Sequence, residues 1–375
     1  MSILQEMKIA LVFDWLDDKG GMERVNLALA EEFPDAPIFT SVFDETKFPS
    51  LKNRVRTSFL QKLPKFVRPK HQMLAPFMPW AFQSFDLSAF DVVISSASSG
   101  FAKSVKKRAS AKHICYCHTP IRYLYNARAE YEQNYPLPAW MRPFKFLMPK
   151  LLDWLTKVDQ NSAKQVDVFV ANSNFVAQRI KKYYQQDAKV IYPGIETALF
   201  SSQEWQKQDY YLAVGRFIPY KRFDLLVETF AQNGLPLKLA GNGPEKARCQ
   251  EIVKKYNAHN IEFLGFVEES DLPALYGQAK AFLFPAEEDF GLTPIEAMAS
   301  GTPVIFYNAG GATETAGPVG VPFDTQTVSS LQTAVETFER NIADFGAKKM
   351  QQQAEKFSET RFKQEIWELV EEVCV

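Results

Sequence analysis

Two successive series of short apolar runs, separated by a polar break, leave this chain very few architectures. The first series reads KIALVF (8–13), DVVISSA (91–97), HICYCH (113–118) and DVFVANS (167–173). After KVIYPG (189–194) comes ETALFSSQEWQKQD, which is polar and irregular. The second series reads YYLAVG (210–215), LKLAG (237–241), IEFLGF (261–266), AFLFPA (281–286) and TPVIFYN (302–308). Both faces of these runs are apolar, as in parallel strands covered by helices on each side. Helical patterns fall near 21–32, 221–232, 244–257, 270–278 and 294–300. The expected fold class is α/β, with two doubly wound Rossmann-like domains facing a cleft. The domains expected are 1–195 and 196–355, with 356–375 forming a helix that packs back on the first. Ligands of such sheets bind at the carboxyl ends of the strands.

Composition supports two cores and excludes several classes. The chain has 375 residues, 46 % of them hydrophobic, enough for two domains. With 43 basic and 44 acidic residues the net charge is -1, which argues against nucleic-acid binding through a general basic field. Cys115, Cys117, Cys249 and Cys374 form no zinc or disulfide pattern and read as reduced and structural, in a cytoplasmic protein. The N-terminus lacks the layout of a signal peptide, and no run of apolar residues is long enough to span a membrane.

The segment from Glu288 to Glu296, EDFGLTPIE, follows the strand AFLFPA and enters the helix PIEAMAS. Local chemistry offers one reading: Thr293 as N-cap, Pro294 at the first helical position and Glu296 closing a capping box. A functional reading stands beside it. Glu288, Phe290 and Gly291 form a turn at a strand end, before a helix start whose N–H groups and dipole favour an anion. A carboxylate there can accept hydrogen bonds from sugar hydroxyls. Arg216 ends YYLAVG and Lys221 opens the next helix; a fork and a point charge together suit a diphosphate. Taken singly, each is also readable as a solvated loop charge.

Toward the N-terminus, Gly20 and Gly21 follow the first strand and permit a close approach of backbone to ligand, or form a plain turn. His118 ends HICYCH ahead of Thr119-Pro120, at a carboxyl end. His71, His113 and His259 show no such context. With four histidines and no D-x-D motif, no catalytic metal is expected. The stretches 63–82 and 139–157 mix basic and aromatic residues. They read either as amphipathic helices packed on the domain or as a surface meeting anionic headgroups and a lipid-linked substrate.

Glu288 and Glu296 with seven residues between them, the following EAMASG and the preceding GR…K segment resemble the family 4 glycosyltransferases, which are retaining enzymes of GT-B fold. The resemblance covers nearly the whole chain, including GGMER (20–24), His118 in YCHTP, VANSNFV, Pro193-Gly194-Ile195 and Gly241-Asn242-Gly243-Pro244. CYCHTPIRYLYN is similar to mannosyltransferases that build O-antigen and related polysaccharides. The resemblance implies roles residue by residue. Arg216 and Lys221 neutralise the leaving diphosphate. Glu296 accepts from ribose hydroxyls. Glu288, with the backbone of Phe290 and Gly291, holds the donor sugar. Leu292 and Thr293 offer N–H groups to phosphate. Gly265, Phe266 and Val267 lie near the base, and His118 contacts the donor sugar. Glu196 departs from the pattern, standing where many relatives carry Asp.

The reaction so implied moves a hexose from a nucleoside diphosphate sugar to a hydroxyl of a lipid-linked glycan, with retention. The donor expected is GDP-mannose, with UDP sugars open, and no further cofactor. The acceptor expected is a polyprenyl-linked glycan, with peripheral contact at the inner face of the cytoplasmic membrane. Three other readings stand beside this one. A nicotinamide-dependent oxidoreductase needs G-x-G-x-x-G after the first strand, and DWLDDKGGMER does not supply it. A non-catalytic nucleotide-sugar-binding protein would have no need of the full set of charged residues. A synthase or phosphorylase on a soluble acceptor, using a UDP sugar, differs only in what it receives.

Overall fold

The computed structural model describes residues 7–18, 20–134, 146–201 and 203–374. The chain divides into two compact units, one comprising 1–192 with 363–375 and the other 193–362.

The first unit holds a seven-stranded sheet of β1 (Ile9–Phe13), β2 (Ile38–Thr40), β3 (Val55–Thr57), β4 (Val92–Ala97), β5 (Lys112–Cys117), β6 (Val168–Ala171) and β7 (Ala188–Val190). Their order is β3-β2-β1-β4-β5-β6-β7, and every pairing is parallel. Its helices are α1 (Gly21–Glu32), α2 (His71–Leu74), α3 (Met78–Gln83), α4 (Arg128–Asn134), α5 (Met148–Ala163) and α6 (Asn174–Tyr184). β4 is buried along its whole length, and all of β5 except Lys112. That explains why these runs show no alternation.

The second unit holds six parallel strands: β8 (Tyr211–Val214), β9 (Leu237–Ala240), β10 (Ile261–Gly265), β11 (Ala281–Phe284), β12 (Val304–Tyr307) and β13 (Val321–Phe323). Their order is β10-β9-β8-β11-β12-β13. The helices are α7 (Thr197–Phe200), α8 (Phe223–Asn233), α9 (Lys246–Tyr256), α10 (Leu272–Gln278), α11 (Leu292–Ala299), α12 (Ala312–Thr315), α13 (Val328–Arg340) and α14 (Ala347–Glu355). The last helix, α15 (Glu359–Cys374), begins in the second unit and from Lys363 belongs to the first, where Trp367 stacks on Phe33 and Lys363 pairs with Glu31 at 2.8 Å.

Strand order reverses direction about the first strand of each sheet, β1 and β8. Such a switch point opens a crevice at the carboxyl ends, where ligands of open parallel sheets sit. Three strands of three residues each, β2, β3 and β13, escaped the sequence patterns because they are too short to show a period. Cys115, Cys117 and Cys249 are buried free thiols, and burial pushes Cys115 and Cys249 up to about 12. Among the described residues no helix is long and apolar enough to cross a membrane.

Candidate functional site

In the second unit the carboxyl ends of five neighbouring strands are tied into one continuous rim. At the end of β10, the Gly265 carbonyl accepts from the Gly241 amide at 2.6 Å. Gly241 follows β9 with φ +123, and a Cβ built there would lie 1.9 Å from the Gly215 carbonyl oxygen. Only glycine allows the β8 and β9 ends to touch in this way. Gly215 leads into Phe217, which is fully buried and stacks on Phe223 at 4.2 Å. Its amide donates to Asn242 at 2.9 Å, and its carbonyl accepts from Glu245 at 3.0 Å. Phe217 thereby anchors the loop, and Arg216 beside it points into solvent without a salt bridge among the described residues.

From the β8 end the rim passes to β11 through an ion pair, Lys221 with Glu288, each side chain only 16 % exposed. Lys221 closes a 3-10 turn (Pro219–Lys221) rather than opening α8, which starts at Phe223. Its ammonium also lies 5.7 Å from the centre of the Phe284 ring. The next contact links β11 to β12. The Gly311 amide donates to the Glu288 carbonyl at 2.8 Å, and a Cβ on Gly310 would sit 2.3 Å from that oxygen. Gly310 and Gly311 therefore cradle the Glu288 turn from below. The sequence signal, a glycine pair behind the run TPVIFYN, equals that at Gly20-Gly21.

The helix behind this turn starts differently from the expected capping box. α11 opens at Leu292 behind Gly291, whose φ is +90. Thr293 lies inside the first turn with a buried, unpartnered Oγ1. Glu296 is 2 % exposed and accepts a hydrogen bond from the Tyr276 hydroxyl at 2.8 Å, so it does not close a cap. Gly291 takes the N-cap position because its positive φ brings the chain around Phe284. The first amides of α11, those of Leu292 and Thr293, have no partner within the helix and can meet an anion. Phe290 is buried against Phe357, while Phe266, next to half-buried Gly265 and Val267, is 74 % exposed. Among the four residues expected to converge, the structure joins Lys221 to Glu288. Arg216 stands on the same rim without touching them, and Glu296 turns to Tyr276. Tyr276 carried no sequence signal beyond lying in a helical pattern.

In the first unit, Gly20 is the N-cap of α1 and Gly21 its first residue, both exposed at the end of the loop after β1. His118 follows β5. Its Nε2 lies 2.8 Å from Ser96 Oγ, its carbonyl accepts from Asn172 Nδ2 at 3.0 Å, and its ring meets Tyr116 edge-on at 5.2 Å. Burial pulls the imidazole down to about 3, so at neutral pH it serves as a hydrogen-bonding group and not as a cation. Two further devices lie at these strand ends. Asp14, directly after β1, accepts from the amides of Ser98, Ser99, Gly100 and Ala102 at 2.7 to 3.0 Å. It thereby fixes the loop that follows β4. His71 stacks on Trp15 at 3.9 Å and lies 3.2 Å from the Asp17 carboxylate, a context its sequence position did not reveal.

Among the described residues no group of three or more His, Cys, Asp or Glu is placed to hold a metal ion. The arrangement in the second unit is an anion-tolerant rim with one cation held by one carboxylate. Comparison with known proteins gives it a family. The model for Glycosyltransferase Family 4 matches residues 19–199, and that for Glycosyl transferases group 1 matches 195–359. The chain belongs to the family 4 glycosyltransferases.

Relatives of this glycosyltransferase include the O-antigen chain mannosyltransferase RfbU of Salmonella typhimurium, 28 % identical over 207 residues, or 53 % of this chain and 57 % of that one. The chain spans about half the length of the curated O-antigen relatives it matches. Alpha-1,3/1,6-mannosyltransferase ALG2 of Candida glabrata is 26 % identical, covering 83 % of this chain and 78 % of the relative. Among solved structures, Anabaena HepE in complex with UDP superposes with a TM-score of 0.69 at 18 % identity, covering 97 % of this chain and 99 % of that one. The fold is that of the GT-B glycosyltransferases, one Rossmann-like sheet in each unit.

Proposed function

We propose that this glycosyltransferase moves mannose from GDP-mannose to a hydroxyl of a polyprenyl-linked glycan in surface polysaccharide synthesis, retaining the anomeric configuration. It works at the inner face of the cytoplasmic membrane. The observation that carries the reading is the Lys221–Glu288 pair on the glycine-built rim. A diphosphate entering beside Lys221 competes with Glu288 for the ammonium. Glu288 then becomes free to accept from the donor sugar's hydroxyls. Arg216, exposed on the same rim, supplies the second cation, and the first amides of α11 complete the phosphate contacts. In this reading Glu296, held by Tyr276, accepts from the ribose, and Phe266 offers an exposed ring to the base.

Retention follows from same-face transfer. The bond from the anomeric carbon to the diphosphate oxygen breaks, the acceptor oxygen bonds to that carbon from the same side, and the acceptor proton passes to the departing phosphate. Fixed cations and helix-start amides stabilise the diphosphate without reorganising. The mannose assignment draws on the relatives named as mannosyltransferases. A UDP sugar and a soluble acceptor form the second reading, favoured by the UDP bound in HepE.

A thermal-shift panel of GDP, UDP, ADP and dTDP with their sugars separates these readings, because a ligand that binds only the folded chain raises Tm. GDP and GDP-mannose should respond. A response to UDP alone overturns the donor assignment, and no response to any of them overturns the site. Lys221→Ala and Glu288→Ala should each lower transfer by about 10²- to 10³-fold in a folded protein. Near wild-type turnover in either variant would contradict the assignment.

A further inference from the structure

The first unit carries an outer surface that its core does not account for. α2, α3 and α5 turn one side inward, where Leu74, Met78 and Phe82 meet the same core as Met148, Leu152 and Leu155. That much is ordinary amphipathic packing. The opposite sides carry aromatic rings among their polar groups. Every exposed large hydrophobic side chain among this unit's described residues lies either in 59–80 or in 146–154, the most exposed being Phe66 at 73 % and Phe146 at 72 %. The two segments meet: the Trp80 ring lies 5.6 Å from Trp154 and 6.3 Å from Phe77. Phe77, Trp80 and Trp154 form one aromatic patch. The part of 139–157 before residue 146 lies outside the described residues.

The sequence around the first of these segments carries charge of one sign. From Thr46 to Phe85 the sequence has eight Lys or Arg and no Asp or Glu, in a chain whose net charge is -1. Arg54 is spent on backbone carbonyls, but Lys62, Lys65 and Lys70 are exposed. α5 adds exposed Lys150 and Lys157, and its outward acid, Asp153, is bonded by Arg128 at 2.7 Å. Tryptophan favours the headgroup level of a bilayer, phenylalanine inserts at the acyl boundary beneath it, and lysines beside them reach anionic headgroups. A second copy of this chain is a poor occupant, since a two-fold contact would set the basic rims against each other.

We propose that this surface docks on a membrane leaflet bearing anionic lipids. The inference deepens the lipid-linked acceptor reading and rests on it for its purpose. It names the face that meets the leaflet and the headgroup charge that holds it.

Flotation of the full chain with vesicles of phosphatidylglycerol and phosphatidylethanolamine, against phosphatidylcholine alone, tests it. The chain should float with the anionic vesicles at about 0.05 M salt and be released at about 0.5 M. Trp80→Ser with Trp154→Ser should lower the partition coefficient by about tenfold. These rings lie outside the core, 53 % and 36 % exposed, so the variant should stay folded and keep its nucleotide-induced shift. No flotation of the folded chain at low salt overturns the proposal. So does equal flotation on neutral vesicles, or an unchanged partition in the tryptophan variant. A salt-resistant dimer lost in that variant also overturns it. The nucleotide panel contains no vesicles, so the donor reading and this one fail separately.

Discussion

The two units solve the same problem, shaping the carboxyl edge of a parallel sheet, with different materials. In the second unit the backbone does it. All eight glycines with positive φ among the described residues lie there, and several hold neighbouring loops in direct contact. In the first unit buried side chains do it: Asp14 gathers four amides, His118 takes Ser96, and Lys103 forms a buried pair with Asp159 that Tyr125 joins at 2.8 Å. A backbone-built rim does not draw on side chains for its shape, although Lys221 and Glu288 pair across it. A side-chain-built edge already has its polar groups committed. On the proposed reading the second unit grips the diphosphate, while the first presents a fixed edge.

The largest effect should come from removing the hub of the first unit. Asp14→Ala strands four amides, those of Gly100 and Ala102 buried and those of Ser98 and Ser99 partly so, and each unsatisfied buried donor costs about 1–3 kcal/mol. A loss of about 4 kcal/mol or more is expected, seen by urea unfolding as a lower midpoint. Asp14→Asn keeps one acceptor oxygen and should lose less. If Asp14→Ala cost under about 1 kcal/mol, the loop would be held by something else, and the contrast between the units would weaken.

Gly310→Ala probes the opposite material. Its Cβ would lie 2.3 Å from the Glu288 carbonyl oxygen and 3.0 Å from the Glu288 amide, so backbone must move. A cost of about 2–3 kcal/mol is expected, together with loss of the nucleotide thermal shift, since Glu288 and its partner Lys221 shift with the loop. An unchanged nucleotide response would show that the glycine contact is structural only.

These two positions also show what the sequence makes legible. The strand runs β1, β4, β5, β6, β8, β11 and β12 are readable because strands buried on both faces are largely apolar, while β9 and the edge strand β10 keep enough apolar residues beside Lys238 and Glu262 to stand out. The Glu288-to-Glu296 turn was readable because helix-start chemistry and a family pattern coincide in it. Asp14 was not: a single acid after KIALVF carries no mark of the four amides that converge on it from residues 98 to 102. Nor was Tyr276, whose hydroxyl reaches Glu296 across 20 residues of sequence. Such contacts depend on how separate segments stack, which no local period records. The capping box failed for a related reason. The positive φ of Gly291 starts the helix two residues before Pro294 and leaves Thr293 inside it.

Acid should loosen the first unit ahead of the second. Burial pulls both His113 and His118 from the ordinary 6.5 to about 3. Folded values below the unfolded one mean that unfolding takes up protons between these limits. Their contribution is complete above pH 6.5 and is lost as pH falls toward 3, with uptake approaching about two protons. Burial pushes the Asp14 carboxyl up, which opposes this slope above its ordinary 3.8, so the histidine effect is cleanest near pH 6. The second unit's one histidine, His259, is exposed. Amide exchange resolved by segment should show β4 and β5 losing protection first between pH 6.5 and 5. Equal loss in both sheets would remove the histidines as the cause.

The smallest effect makes the cleanest control. Gly234 caps α8 with φ +76, close to the +66 of Gly310, but a Cβ there would meet nothing within 4 Å. Gly234→Ala therefore carries the left-handed backbone cost without the packing cost, about 1 kcal/mol. The nucleotide shift should not move. The difference between Gly310→Ala and Gly234→Ala then measures what close loop contact adds beyond backbone conformation. Were the two variants equally destabilised and equally able to bind nucleotide, the rim's glycines would be serving only as turn formers. The second unit's edge would then owe its shape to something other than touching backbones.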